Sequence, residues 1–172
     1  GNAVGKRGLA DAMIRPCDSA DIATIDSIIN AAAEAYRGVI PADCWHEPYM
    51  PRAHLEAEIA NGVVFSGDEQ SGRLVGVMGR QRVRDVTLIR HAYVLPDHQR
   101  HGIGGALLTE IVAQTTGPLL VGTWAAADWA IRFYQRYGFR LVSSMEKARL
   151  LATYWNVPAR QQDVSVVLAR AD

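Results

Sequence analysis

The stretch HQRHGIGGALL, residues 98–108, constrains the fold more than any other part of the sequence. Its glycines leave backbone N–H groups open to a ligand, and a helical pattern of apolar residues begins at once. It follows an extended apolar segment, residues 85–95, that ends at Pro96. Converging N–H groups at a glycine loop and a helix N-terminus bind phosphate groups. The sequence therefore predicts an anion site between a strand and a helix, with Arg100 and His101 at its rim.

Two common types of phosphate-binding loop do not fit this stretch. A P-loop requires Gly-Lys-Ser/Thr after its glycines, whereas Gly104 and Gly105 are followed here by Ala106. A dinucleotide-binding loop lies early in a βαβ unit and has an acidic residue about 20 positions further on. Here the loop follows a pattern typical of an antiparallel meander, and position 122 is glycine.

The hydrophobic periodicity predicts a single mixed α/β domain over residues 13–172, preceded by a loose tail at residues 1–12. The expected sheet is largely antiparallel, twisted and flanked by helices. The strands are predicted at residues 12–17, 63–67, 73–83, 85–95, 118–125, 139–144 and 163–169. The helices are predicted from a cap at Asp18 or Ser19 to about Gly38, and at residues 52–62, 102–116, 127–137 and 147–155. The segment GDEQSG, residues 67–72, is typical of a hairpin turn.

Composition excludes several classes of protein. The chain has 172 residues and is 49% hydrophobic, and its 18 basic and 18 acidic residues cancel. We therefore expect neither a nucleic-acid nor a membrane partner. There is no apolar stretch of about 20 residues and no secretory signal. The two cysteines lack motif spacing and the five histidines lack metal-ligand spacing, so we expect a cytoplasmic protein without a metal.

Three segments resemble the GNAT N-acetyltransferase superfamily in their order and spacing. AYVLP (92–96) is similar to the fourth strand of that family, and QRHGIG (99–104) matches its Q/R-x-x-G-x-G/A pyrophosphate loop. AIRFYQRYGF (130–139) matches its late helix and turn. The resemblance covers roughly residues 13–170. It implies a GNAT-like fold and an acyltransferase that moves acetyl from acetyl-coenzyme A to an amine, without a metal.

The resemblance also implies where the donor binds. Backbone groups of Ala92, Tyr93 and Val94 would pair with the pantetheine arm, and the thioester would lie in a gap between the fourth and fifth strands. The Val94 N–H would stabilise the oxyanion. The residues implied around the pyrophosphate are Arg100, His101, Gly102, Ile103, Gly104 and Gly105.

Tyr134 is the candidate for the catalytic acid. It occupies the tyrosine of the FY pair, where the family often places the group that protonates the leaving thiolate. The alternative is that Tyr134 only packs between helix and sheet. Tyr137, nearly one turn later, fits packing better.

The catalytic base is left open. Some relatives carry an acidic residue on the fifth strand and an asparagine five positions later, but this chain has Gly122 and Ala127 there. Glu34 and Tyr36, at the end of the first helix, and His91, on the fourth strand, are the candidates. A chain of water molecules without a single base is an equal alternative.

The acceptor is expected to be a primary amine on a small molecule or a protein, attacked directly in a ternary complex. Trp45, Tyr49 and Met50 either line an acceptor pocket or anchor a loop over the core. The aromatic loop favours a small apolar or amphipathic amine. Two alternatives remain: a non-catalytic sensor that binds acyl-coenzyme A, and an enzyme that uses a longer acyl donor. The resemblance also allows a homodimer.

Overall fold

A computed structural model describes residues 12–171 of the chain. In this range, seven strands form one sheet in the order β1-β2-β3-β4-β5-β7-β6. The strands are β1 (Met13–Pro16), β2 (Val64–Gln70), β3 (Arg73–Val83), β4 (Val86–Val94), β5 (Leu119–Trp124), β6 (Arg140–Leu141) and β7 (Ser165–Arg170). The predicted tail at residues 1–12 lies outside the described residues except for its last position.

Neighbouring strands run antiparallel except at the centre of the sheet. β4 and β5 are parallel, and their paired residues are Thr87 with Leu119, Leu88 with Leu120, and Ile89 with Val121. Both strands continue beyond these pairs, β4 to Val94 and β5 to Trp124. The mixed, mostly antiparallel sheet confirms the predicted fold class.

Helices connect the strands and cover the sheet. They are α1 (Ile22–Ala32), α2 (Arg52–Ala60), α3 (Ile103–Gln114), α4 (Asp128–Arg136), α5 (Ser144–Tyr154) and α6 (Ala159–Asp163). Short 3-10 turns lie at Ser19–Asp21, Ala33–Tyr36, Ala42–Cys44 and Pro96–His98. Among the described residues, no helix has the length and apolar character needed to cross a membrane.

Capping interactions explain where two of these segments begin. The Asp18 carboxylate accepts a hydrogen bond from the Ala20 N–H at 2.9 Å, and the Asp21 carboxylate accepts one from the Asp18 N–H at 2.9 Å. This reciprocal capping box fixes the turn that leads into α1. At the start of α5, the Ser143 hydroxyl accepts a hydrogen bond from the Glu146 N–H.

The core lies on both faces of the sheet. Successive strand residues alternate between clusters, so that Val77 packs with α1 and α2 while Met78 packs with α3. The cluster under α3 and α4 contains Val75, Met78, Ile89, Ile103, Leu107, Leu108, Ile111, Val121, Tyr134 and Leu168. The cluster under α1 and α2 contains Ile25, Ile28, Ile29, Leu55, Val63, Phe65 and Val77. α3 and α4 therefore lie on one side of the central strands, and α1 and α2 on the other.

The predicted hairpin between β2 and β3 is present, but its turn is shorter than expected. GDEQSG was expected to be a hairpin loop, but β2 continues to Gln70, and the turn consists of Ser71 and Gly72, both with positive φ. β1 and β3 pair with β2 on its two sides, so the polar residues complete a ladder and Asp68 is fully buried. The first helix also ends earlier than predicted, at Ala32, where a 3-10 turn follows.

Candidate active site

A cavity of about 510 Å³ opens where β4 and β5 separate. It begins at Ile89 and Val121, the last residue pair that joins the two strands. β4 lines it with Ile89 and with residues 91–94, and β5 lines it with Val121, Gly122 and Thr123. The cavity therefore lies in the strand gap that the sequence predicted for the thioester.

A bulge in β4 accounts for the separation. Val77 of β3 pairs with Tyr93 and Gly79 pairs with Arg90, so Met78 faces two residues, His91 and Ala92. His91 has φ 54°, in the left-handed region. An extra residue on one strand bends that strand and increases its twist. The bend directs the end of β4 away from β5.

The glycine loop leads from β4 into α3. The Gln99 side chain donates a hydrogen bond to the Val94 carbonyl at 3.2 Å, and Arg100 and Gly102 have φ 67° and 78°. Gly102 is the N-cap of α3 and provides no side-chain cap. The first N–H groups of an α-helix have no partner within the helix, so they are available to a phosphate. The local backbone is thus suited to the predicted anion site.

Most of the predicted loop residues line the cavity. Arg100, Gly102, Ile103, Gly104 and Gly105 do so, as do Ala92, Tyr93 and Val94 of β4. His101 is exposed and lies outside the lining. Sequence reasoning missed His98, which lines the cavity and has a buried Nδ1 without a hydrogen-bond partner in the described structure.

Tyr134 lies in α4 beside the gap. Its side chain is 6% exposed and lines the cavity, with the rings of Phe133 and Phe139 packed against it at 5.1 and 5.6 Å. Burial raises the pKa of its phenol well above the ordinary value of 10.0, and the nearby Tyr36 raises it further. The hydroxyl therefore stays protonated at physiological pH and is available as a proton donor.

Two of the predicted bases, His91 and Glu34, have different surroundings. His91 lines the cavity, and its Nε2 lies 2.5 Å from a carboxylate oxygen of Glu58. Glu34 is exposed and accepts a hydrogen bond from Arg37 Nε at 2.8 Å, and it is not part of the lining. The structure therefore places His91 in the same cavity as Tyr134 and the loop, and it places Glu34 outside that cavity.

An indole occupies the space in front of the glycine that replaces the acidic residue of some relatives. A Cβ placed on Gly122 would lie 3.6 Å from the Trp155 ring, which follows α5. Ala127, the second departure from the pattern, is completely buried and precedes α4. The neighbouring Asp128 is exposed. Gly122 therefore contacts an indole ring, and neither position 122 nor position 127 places a polar side chain in the cavity.

Aromatic rings form part of the cavity wall. The Tyr36 ring lies 5.9 Å from Trp129, nearly parallel to it, and 6.3 Å from Tyr93. These three residues line the cavity. Burial raises the pKa of Tyr36 to about 12, so this wall is neutral at physiological pH. In the described range, no carboxylate lines the cavity, and no group of His, Cys, Asp or Glu side chains is arranged to hold a metal ion.

The aromatic loop anchors itself on the core. Trp45, Tyr49 and Met50 do not line the cavity. The Tyr49 hydroxyl accepts a hydrogen bond from Trp124 Nε1 at 2.8 Å, and the Asn30 side chain bonds both backbone groups of Met50. Of the two alternatives drawn from the sequence, the structure favours the anchoring role.

Comparison with known proteins agrees with this geometry. Residues 60–141 match the family model described as the acetyltransferase (GNAT) domain. The chain contains a GNAT acetyltransferase domain. The predicted membership of this superfamily, and with it the assignment as an acyltransferase enzyme, is confirmed. No curated protein matches the chain.

Solved structures share the GNAT fold across almost the whole chain. The PaiA N-acetyltransferase of Thermoplasma acidophilum, in complex with coenzyme A, has a TM-score of 0.71 and 15% identity, covering 94% of this chain and 99% of its own. The N-acetylglutamate synthase of Neisseria gonorrhoeae, with coenzyme A and N-acetyl-glutamate, has a TM-score of 0.64 and 23% identity, covering 94% of this chain and 35% of its own. The ribosomal-protein-S18-alanine N-acetyltransferase of Escherichia coli has a TM-score of 0.60 and 17% identity, covering 93% of both chains.

The residues of this GNAT domain fit acetyl-coenzyme A. The open first turn of α3 and the guanidinium groups of Arg100 and Arg136 at the cavity suit the phosphates. The gap between β4 and β5 suits a narrow thioester arm. Both features agree with the predicted co-substrate, acetyl-coenzyme A.

Proposed function

We propose that this protein is an N-acetyltransferase that moves the acetyl group from acetyl-coenzyme A to a primary amine by direct attack. One observation carries the proposal: a single cavity connects the glycine loop, Tyr134 and the aromatic wall of Tyr36 and Trp129. Both substrates can therefore meet in one chamber, and holding them together supplies much of the rate acceleration.

The donor side is formed by backbone groups. In this proposal Ala92, Tyr93 and Val94 pair with the pantetheine arm, and the Val94 N–H stabilises the oxyanion. Because β4 is unpaired with β5 beyond Ile89, this edge faces the cavity. The pyrophosphate is held by the loop residues Arg100, His101, Gly102, Ile103, Gly104 and Gly105.

The chemistry requires a proton donor and a proton acceptor. The nitrogen lone pair attacks the thioester carbonyl carbon, and the carbon–sulfur bond breaks as the tetrahedral adduct collapses. Tyr134 gives its proton to the leaving sulfur, while the amine loses a proton to a base or to water. His91 is the candidate base that the cavity position supports, with a water chain as the alternative. Glu34 stays a prediction from the sequence.

The lining of the cavity indicates the acceptor class. Polyamines and other polycations require carboxylates to bind them, and none lines the cavity in the described residues. The rings of Tyr36 and Trp129 suit an apolar or amphipathic amine. We propose a small amine of this kind, and a protein amine is the second class to test.

Calorimetric titration with acetyl-coenzyme A, followed by thiol release against a panel of amines, tests the proposal. The panel contains apolar monoamines, amino acids, polyamines and N-terminal peptides, and each is tried with acetyl and longer acyl donors. Binding together with thiol release on an apolar monoamine supports the proposed function. Binding without release on any amine favours the acyl-coenzyme A sensor. No binding contradicts both.

The Tyr134→Phe variant tests the role of the acid. It should lower kcat by roughly 100-fold or more, because it removes the proton donor. It should leave acetyl-coenzyme A affinity nearly unchanged, because the ring remains. Tyr137→Phe is the matched control, since Tyr137 lies one turn later in the same cavity. Equal activity of the two variants would rule out Tyr134 as the acid.

A further inference from the structure

A carboxylate outside the cavity holds the β4 bulge. Glu58 of α2 has a side chain that is 13% exposed, and it contacts three basic side chains. One of its oxygens lies 2.5 Å from His91 Nε2 and 3.0 Å from Arg90 Nη2, and the other lies 2.7 Å from His54 Nε2. Two of these partners, Arg90 and His91, are the consecutive residues at which β4 leaves its register with β3.

The bulge needs such support because its backbone is strained. His91 has φ 54°, and a left-handed conformation is unfavourable for a residue other than glycine, because its Cβ approaches the following carbonyl oxygen. A strained residue persists only where its surroundings determine its conformation. Here the ring of His91 stacks on Phe65 at 6.2 Å while its Nε2 is bonded to Glu58.

The neighbouring strand is adapted to the same bulge. A Cβ on Gly79 of β3 would lie 2.8 Å from the Arg90 carbonyl oxygen, so only glycine allows this close approach. The Arg90 guanidinium also donates a hydrogen bond to Gln81 Oε1 at 2.9 Å. Glu58 thus connects α2 to a segment that β3 holds from the other side.

Ala92, Tyr93 and Val94 follow the bulge directly and line the donor side of the cavity. We propose that Glu58 is a positioning residue for acetyl-coenzyme A: it fixes the left-handed bulge at His91 and thereby the width of the gap between β4 and β5. This inference rests on the proposed function in one respect, that β4 binds the pantetheine arm.

The charge of Glu58 is suited to this role. Burial raises its pKa, but the hydrogen bond from His91 and the charges of His91, Arg90 and His54 outweigh burial and lower the pKa to about 2. The carboxylate is therefore ionised throughout the physiological range, and its hydrogen bonds to the bulge persist.

The test compares acetyl-coenzyme A dissociation constants by calorimetry. Glu58→Gln should weaken binding roughly tenfold, because a displaced backbone no longer fits the ligand. His54→Ala is the matched control, since His54 contacts the same carboxylate from the surface and does not belong to β4. It should bind acetyl-coenzyme A like the wild type.

Two substitutions at position 91 distinguish the conformation of the bulge from the chemistry of the His91 imidazole. His91→Gly should bind acetyl-coenzyme A within about threefold of the wild type, because glycine adopts the left-handed conformation without strain. His91→Ala, which loses the same imidazole but keeps the strain, should bind roughly tenfold more weakly. In the His91→Gly background, Glu58→Gln should have less than about a twofold effect.

The outcomes are distinguishable. If the wild type does not bind acetyl-coenzyme A, the proposed function is wrong and this inference falls with it. The positioning role alone is wrong if the wild type and Glu58→Gln bind acetyl-coenzyme A equally well. It is also wrong if the wild type binds but His91→Ala and His91→Gly have the same dissociation constant. If Glu58→Gln does not fold, the comparison of His91→Gly with His91→Ala still decides. Loss of a base would lower kcat equally in both position-91 variants, and the dissociation constants would not report it.

Discussion

At the scale of single residues, the surroundings of a side chain determine what it can do. Tyr134 and Tyr137 lie three positions apart and both face the cavity, but Tyr134 is 6% exposed and Tyr137 36%. The Tyr137 hydroxyl lies against the Cα of Gly105, where a Cβ would clash with it. The Tyr134 hydroxyl is therefore the more shielded of the two, which agrees with the proposed role as proton donor, and Tyr137 packs over the start of α3.

The pH dependence of the reaction follows from the raised pKa of Tyr134. Its hydroxyl keeps its proton far above neutral pH. Loss of that proton therefore does not lower kcat/KM on the alkaline side of the pH profile. We expect kcat/KM to rise as the amine and the base lose their protons, without a decline below about pH 10. A decline near pH 8 in the thiol-release assay would show that another group is the acid.

The ion pair of Arg15 and Asp21 should make the free energy of unfolding depend on pH. The hydrogen bond from Arg15 lowers the pKa of Asp21 from 3.8 to about 2. A lowered pKa in the folded state stabilises the protein above pH 3.8, and this contribution disappears as the pH falls through 2. Asp21→Asn should therefore lower the free energy of unfolding by about 1 to 2 kcal/mol at pH 7.

Urea unfolding at several pH values measures this contribution. The difference between Asp21→Asn and the wild type should shrink steadily below pH 4. Asp43→Asn is the control, because Asp43 forms an exposed ion pair with Arg160 and should have a much smaller effect. A difference that does not change with pH would contradict the assignment.

Candidate site residues that lie in short sequence motifs could be predicted from the sequence. Residues whose role depends on contacts distant in sequence could not. Tyr134 and the loop glycines lie within continuous patterns, so their places were predictable. Glu58 contacts Arg90 and His91, more than thirty positions away in sequence, across two elements. No local pattern distinguishes it from Glu56, another carboxylate in the same helix.

At the scale of elements, the helix and strand periods predicted nearly the whole order of the fold. The error at GDEQSG arose because polar residues and glycines were interpreted as a turn, whereas β1 and β3 on either side provide ladder partners for them. The β4 bulge was also not predicted, since residues 86–89 are all buried and show no polar–apolar alternation whose phase an extra residue would shift. Its residues Arg90 and His91 both contact Glu58, which lies far away in sequence.

The close packing of α3 on β3 can be tested at Gly76 of β3. A Cβ on Gly76 would lie 2.8 Å from Ile103 Cγ2 and 3.3 Å from Val94 Cγ2. Because Ile103 begins α3 and Val94 lines the donor side, Gly76→Ala should destabilise the fold by about 1 to 3 kcal/mol and weaken acetyl-coenzyme A binding. Chemical denaturation and calorimetry measure the two effects.

Gly122→Ala is the matched control for stability. It also adds a methyl group to a strand glycine, but its Cβ meets the Trp155 ring at an ordinary contact distance of 3.6 Å. It should leave the free energy of unfolding within about 0.5 kcal/mol of the wild type. Equal destabilisation by the two substitutions would mean that the approach of α3 to β3 is not what makes glycine necessary at position 76.

At the scale of the whole molecule, the two substrate sides of the cavity differ in charge. Arg100 and Arg136 line the part of the cavity where the proposal places the donor, while the rings of Tyr36 and Trp129 form a neutral part of the lining. The total charge of the chain is zero, so this difference is a property of the site rather than of the composition. It was not predictable from the sequence, because it depends on which side chains the fold brings to one chamber.

The two substrates should therefore respond differently to ionic strength. Raising the salt concentration from about 50 to 500 mM should weaken acetyl-coenzyme A binding several-fold, because its phosphates meet arginines near the surface. The KM of the amine should change by less than about twofold, since no carboxylate lines its side in the described residues. A steep salt dependence of the amine KM would indicate an ionic acceptor site. Tyr137→Phe, which changes no charge, should show the same pattern as the wild type.

The position of Trp129, stacked on Tyr36 at the cavity, should make its intrinsic fluorescence sensitive to a bound ligand. Trp129 is 42% exposed and lies at the chamber, while Trp124 is buried and hydrogen-bonded to Tyr49. A ligand entering the chamber changes the polarity around the first indole and leaves the second unchanged. Native emission should therefore shift on ligand binding, and Trp129→Phe should remove most of the shift, so that occupancy can be followed in real time without a dye or a coupled assay.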